Sequence, residues 1–127
     1  MTFLDTHVVA WLYLDAGANL PAPVRALLDR DDLVISPIVE LELQYLFEIG
    51  RTAQPAEAIL AYLADRIGLA VDASPFKDVV RAAAEQSWTR DPFDRLIVGH
   101  AALNQRMLIT KDEAIRAQYR HARWAEA

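Results

Sequence analysis

Apolar residues in this chain follow two patterns. Short unbroken runs at 2–4, 33–35, 69–71 and 107–109 each predict a strand buried on both faces. Between them, apolar positions recur every three or four residues and predict helices over 7–14, 24–30, 37–49, 55–66, 75–87, 92–105 and 111–119. Punctuation supports this division. Ser36-Pro37 and Ser74-Pro75 each set a capping residue before a first-turn proline, Gly50 stops the third helix, and the Gly- and Pro-containing stretch 16–23 reads as a loop. Four short strands separated by helices predict an α/β domain, with a central parallel sheet covered by helices on both faces.

Composition narrows this picture without changing it. The 127 residues are 54% apolar, enough for one core spanning 1–127, and no repeat or interdomain linker interrupts them. The absence of cysteine excludes disulfides and thiolate metal sites and suits a reducing cytoplasm. The amino-terminal apolar stretch lacks a basic flank and lies between Asp5 and Asp15, which argues against a secretory signal. Its longest run, 8–14, is far too short to span a bilayer, so no membrane association is expected. A net charge of −5 disfavours tight, non-specific binding to nucleic acid. It does not disfavour a nuclease, because acids that hold a metal raise the negative count and the metal returns positive charge.

The acids carry the chemistry. Asp5 and Asp112 follow the first and last predicted strands, and Asp94 falls in the first turn of the helix opened by Pro92. In a parallel sheet, ligands bind beyond the carboxyl ends of the strands, so these three point to one edge. Glu42 is expected to join them. At about 100° per residue, Ile38, Val39, Tyr45, Leu46 and Ile49 fall within about 60° of it, whereas Glu40, Gln44 and Glu48 lie opposite. Charge is costly to bury without a compensating cation, so converging acids suggest a pocket for a hard divalent ion. Plainer roles stand beside this one. Asp5 or Thr6 could cap the first helix, Asp91 is a natural cap before Pro92, and Asp112 could cap the last helix.

Taken together, Leu4-Asp5-Thr6-His7, Ser36 followed six residues later by Glu42, Arg90-Asp91-Pro92-Phe93-Asp94-Arg95-Leu96-Ile97 and Ile109-Thr110-Lys111-Asp112 resemble the motifs of the PIN domain, in the order found in bacterial VapC-type toxins. The resemblance covers essentially the whole chain. It implies a flavodoxin-like sheet and an endoribonuclease dependent on Mg²⁺ or Mn²⁺. It also implies a cytoplasmic toxin that pairs with a VapB-type antitoxin, as a homodimer and a toxin–antitoxin hetero-oligomer. Carried over by position, the site acids are Asp5, Glu42, Asp94 and Asp112, with Asp91 matching the motif as either ligand or cap. Glu40 departs from the small residue common in relatives, at an outward position that tolerates it.

The resemblance agrees with the requirements of phosphodiester hydrolysis, which needs an activated water and charge neutralisation on phosphate. Magnesium keeps several waters, so few direct ligands are expected. Asp5 and Asp94 are the expected direct ligands, with Glu42 and Asp112 acting through water or a second ion. Thr6 and Thr110 are expected to add hydroxyl hydrogen bonds, and Arg95, with Arg90, to contact RNA phosphate or pair with nearby acids. The three histidines show no acid–base partner in sequence, and Trp11, Trp88 and Trp124 read as core or interface residues rather than base-stacking platforms. Tyr13, Tyr45, Phe47 and Tyr62 are expected to form a groove for an antitoxin segment. Among competing readings, a haloacid-dehalogenase-type phosphatase would need an acid where His7 stands. A dinucleotide-binding enzyme would need a glycine-rich turn after the first strand, and none is present. A catalytically silent PIN-fold interaction module is the alternative from another class.

Overall fold

A computed structural model describes residues 1–15 and 18–125. Its sheet contains β1 (Thr2–Leu4), β2 (Leu33–Ile35), β3 (Ala70–Val71), β4 (Met107–Ile109) and β5 (Ala122–Arg123), ordered β3-β2-β1-β4-β5. Every neighbouring pair is parallel. The helices are α1 (Thr6–Asp15), α2 (Ala22–Arg30), α3 (Pro37–Glu48), α4 (Ala56–Ile67), α5 (Phe76–Ala84), α6 (Pro92–Leu103) and α7 (Glu113–Gln118). All residues of β1 and β2 are buried, as their unbroken apolar runs require. Among the described residues, no helix is long and apolar enough to cross a membrane.

This strand order places the cleft. From β1 the chain moves to β2 and β3, then crosses back to β4 on the other side of β1. Right-handed crossovers in opposite directions put the connecting helices on opposite faces. The carboxyl ends of β1 and β4 therefore sit at the topological switch point, where a crevice opens between the layers. Leu4 pairs with Ile109, so the next residues, Asp5 and Thr110, face each other across the strand ends.

The helices depart from expectation in instructive places. Helix α1 begins at Thr6, one residue early, and Asp5 is the residue whose carbonyl accepts from the Val8 and Val9 amides. Of the predicted loop 16–23, residues 16 and 17 lie outside the described residues, and Ala22 and Pro23 already belong to α2. Neither Ser-Pro pair caps by its side chain. Ser36 precedes α3, but its hydroxyl lies 2.8 Å from His100 Nδ1. Ser74 bonds Asp72 instead, and α5 starts at Phe76 after Pro75. Helix α4 takes a cap from a distance, its Ala56 amide donating to Gln44 Oε1 at 3.2 Å. Helix α5 ends at Ala84, three residues short of expectation.

Strand β5 has no counterpart among the predicted elements. It is two residues long, and its ladder rests on backbone groups: Leu108 N–H donates to His121 O at 3.0 Å and Thr110 N–H to Arg123 O at 3.1 Å. The buried ring of Trp124 anchors its end. Helix α6, which carries Asp94, packs closely against α5 at Gly99. A Cβ there would lie 2.5 Å from the Ala83 nitrogen and 2.7 Å from its Cα, so only glycine fits that approach.

Candidate active site

Asp5 is the most buried acid of the cleft, 7% exposed. Its amide extends the β1–β4 ladder by donating to Ile109 O at 3.0 Å. Its carboxylate accepts the Thr6 N–H at 2.8 Å through Oδ1 and the Thr110 hydroxyl at 2.6 Å through Oδ2. Burial pushes its pKa up, and the bonds from Thr110 and Thr6 only partly counter that rise. Both threonines thus make hydroxyl hydrogen bonds here, because the Thr6 hydroxyl donates to Glu42 Oε1 across the α1–α3 gap.

Glu42 is half-buried and does not sit mid-stripe as its helix phase suggested. The buried residues of α3 are Val39, Leu43 and Leu46, while Tyr45 and Ile49 are 49% and 48% exposed. The packed face is rotated, leaving Glu42 on its rim, where one side touches Thr6 and the other opens to the cleft. Burial is the main cause raising its pKa, with the Asp5 charge adding to it and the Thr6 bond opposing. Glu40 is exposed, as its phase requires.

Asp94 is the third residue of α6 and half-buried. Among the described residues, none donates a hydrogen bond or a salt bridge to its carboxylate. Burial first, then the charges of Asp91, Asp5, Asp112 and Glu42, push its pKa up to about 7. All four of the other acids therefore act on one unpartnered carboxylate. Asp91 and Asp112 are exposed caps. Asp91 Oδ1 accepts the Phe93 and Asp94 amides at 2.8 and 3.4 Å, and Asp112 Oδ1 accepts the Ile115 amide at 3.0 Å. Capping leaves each with a second oxygen for the cleft.

The five acids line one open cleft of about 440 Å³ with His7, Trp11 and Lys111. Comparable clefts of about 370 and 450 Å³ exist elsewhere, so size does not single this one out. Its lining does. The donor set is all oxygen, as Mg²⁺ and Mn²⁺ prefer. Among the described residues, no group of three acids or histidines is arranged to hold one ion by itself.

Other expected residues lie elsewhere. Arg95 Nε donates to Gln86 O at 2.9 Å and Arg90 to Ser87 O at 2.8 Å, so both tie the α5–α6 turn and neither pairs with an acid. Carbonyls left free where α5 stops early draw these guanidiniums away from the cleft. Of the four proposed groove residues, Tyr13 meets Tyr62 edge-on at 5.3 Å, and Tyr45 stacks on Phe93 at 6.2 Å. His100 does have partners, against expectation. Besides Ser36, its Nε2 lies 2.9 Å from Asp72 Oδ1. Burial raises the Asp72 pKa, but bonds from Ser74 and His100 outweigh it and hold the carboxyl low. Ser36 and His100 are 3% and 2% exposed, so this Ser–His–Asp string is sealed from substrate and ties β2, α6 and the β3 end together. Such a contact spans 64 residues and leaves no local signal in the sequence.

Comparison with known proteins agrees with this geometry. A model of the PIN domain matches residues 2–120. Ribonuclease VapC22 of Mycobacterium tuberculosis is 32% identical over 122 residues, covering 94% of this chain and 92% of that protein. Three solved structures share the fold. VapBC-1 from nontypeable Haemophilus influenzae gives a TM-score of 0.65 at 18% identity, covering 99% of this chain and 98% of its own. VapBC2 from Rickettsia felis, bound to a fragment of its promoter DNA, gives 0.62 at 18% identity, with 91% of each chain covered. DNA-bound VapBC from Salmonella typhimurium gives 0.61 at 21% identity, covering 96% and 94%. A family match over nearly the whole length, on a parallel sheet with acids at its switch point, has one meaning: the chain belongs to the PIN domain family.

Proposed function

We propose that this chain is an endoribonuclease dependent on Mg²⁺ or Mn²⁺, and the toxin of a VapBC-type pair. One observation carries the reading: five acids line one cleft, and burial together with the charges of the other four raises the pKa of Asp94, whose carboxylate has no donor among the described residues. That arrangement is unfavourable without a cation and becomes favourable with one. Asp5 and Asp94 would be the direct ligands, with Glu42 and Asp112 acting through bound water or a second ion. Asp91 caps α6 first and has one oxygen to spare for the cation. When bound, the ion supplies an activated water and neutralises charge on the phosphate.

The protein's own part is positioning. Thr110 and the Thr6 amide fix both oxygens of Asp5, and the Thr6 hydroxyl holds Glu42, so two acids are aimed before substrate arrives. A cation in the cleft would favour the charged form of Asp94. RNA as the substrate is supported by the ribonuclease relative, and a VapB-like antitoxin by the VapBC structures that share the fold. Dimerisation and a cytoplasmic location follow from the same reading.

The test is cleavage of RNA by the purified protein in Mg²⁺, in Mn²⁺ and in chelator. Cleavage is expected only with metal. It should fall by orders of magnitude in Asp94→Asn and stay near wild type in Glu40→Gln. Expression alone should arrest growth, and co-expression of the neighbouring antitoxin should relieve it. A wild-type protein that cuts no RNA in either metal would overturn the proposal.

A further inference from the structure

We propose that Trp11, with the exposed ring of His7 beside it, forms a stacking subsite for a single-stranded nucleotide next to the cleaved bond, with Lys111 and Arg51 contacting phosphate on either side. This rests on the ribonuclease reading of the acidic cleft. Trp11 is the wall shared by three adjoining clefts. One is the acidic cleft, one runs toward Pro21 and Trp124, and one runs toward Tyr13 and Arg51. A strand with its phosphate among the acids that leaves along either neighbouring cleft passes this indole.

The ring is prepared for a flat ligand. Buried Trp124 packs near it, tilted, at 5.9 Å between centroids, and the His7 ring lies 6.1 Å away, also tilted. Lys111 Nζ lies 5.8 Å above the indole, marking a face that already receives a cation. Lys111 and Arg51 are exposed, and neither pairs with a carboxylate among the described residues. A base sliding onto the indole would free the ammonium to meet the adjacent phosphate.

Charge explains why such a subsite is needed. The net charge is −5 and the cleft is acidic, so the phosphate backbone is not drawn in by bulk attraction. Affinity must come from a few local cations and from contacts indifferent to charge, and stacking on an aromatic ring is the strongest of these. Bases within a duplex are already stacked, so the subsite favours single strands.

The experiment is steady-state cleavage of a short single-stranded RNA in saturating Mg²⁺ by wild type, Trp11→Leu and Trp11→Phe. Leucine keeps apolar packing against Trp124 and removes the stacking face, while phenylalanine keeps a ring. Trp11→Leu should raise KM roughly tenfold or more, with kcat and the metal half-saturation unchanged. Trp11→Phe should recover most of the loss, and a duplex of the same sequence should show little difference among the three. If Trp11→Leu lowers kcat or metal affinity at unchanged KM, the indole only supports the fold and the proposal fails. Loss of antitoxin capture at unchanged KM would assign Trp11 to the protein partner and also sink it. Should wild type cleave no RNA at all, the ribonuclease reading falls and takes the subsite with it.

Discussion

Replacing Asp94 by Asn should make the metal-free protein more stable. A rise in pKa from 3.8 to about 7 corresponds to about 4 kcal/mol of penalty on the charged form. Asp94 is half-exposed, so solvent screening reduces this to about 1–2 kcal/mol. Its place in the first turn of α6 opposes the penalty, since a negative charge there gains about 0.3–1 kcal/mol from the helix dipole. The penalty of burial, with the neighbouring charges adding to it, wins by about 1 kcal/mol. The sign with pH follows from proton binding. Between pH 4 and 7 the folded Asp94 holds more proton than the unfolded one, so its contribution to stability falls as pH rises through that window. Asn cannot titrate. Urea unfolding in chelator should show the variant and wild type nearly equal at pH 4, with the variant ahead by about 1 kcal/mol at pH 8. Millimolar Mg²⁺ should close or reverse that gap, because only wild type keeps the full ligand set. A variant less stable than wild type at pH 8 in chelator would refute the argument that burial and the neighbouring acids disfavour a charged Asp94 there.

Other outcomes follow from individual contacts. Mg²⁺ or Mn²⁺ at about 100 times its Kd should stabilise wild type by about 2.7 kcal/mol, read as a rise in melting temperature that chelator reverses. Thr110→Val removes the hydroxyl that donates to buried Asp5 and should cost about 1–3 kcal/mol at pH 7. The loss should shrink at low pH, where a protonated Asp5 no longer needs that donor, so melts at pH 4 and pH 7 check it. Gly99→Ala drives a methyl into the Ala83 backbone of α5. A loss at the upper end of about 1–3 kcal/mol, or insoluble protein, is expected in a thermal melt.

What the sequence disclosed and what it withheld divide along physical lines. Strands β1, β2 and β4 are buried on both faces, so their apolar runs are unbroken and legible; Asp5, Asp94 and Asp112 were placed by the same logic. Strand β5 was invisible because backbone pairing with β4 holds it, and Ala122-Arg123 carries no apolar alternation. Glu42 reached the cleft, but its helix wheel was misleading. The wheel counts Tyr45 and Ile49 as buried because they are apolar, yet both lie on an exposed strip. The partners of Arg95 and His100 were not legible in the sequence, for a shared reason. Their partners, Gln86 O and the Ser36–Asp72 pair, depend on how α5 ends and how α6 docks, and neither is written in local spacing.

The bond from Thr110 to Asp5 joins residues 105 positions apart, and β1 finds its β4 neighbour only across that same interval. During synthesis, a chain emerging from the ribosome carries Asp5 and Glu42 early, but it has no β4 against which to set them. Contacts this distant form late, after most of the polymer is available to close the loop. A chain halted before residue 107 therefore carries Asp5, Glu42, Asp91 and Asp94 without Asp112 or the strand that shapes the cleft, and a truncated message yields no working blade. For an activity aimed at RNA, long-range closure delays the hazard until translation of that copy is nearly done.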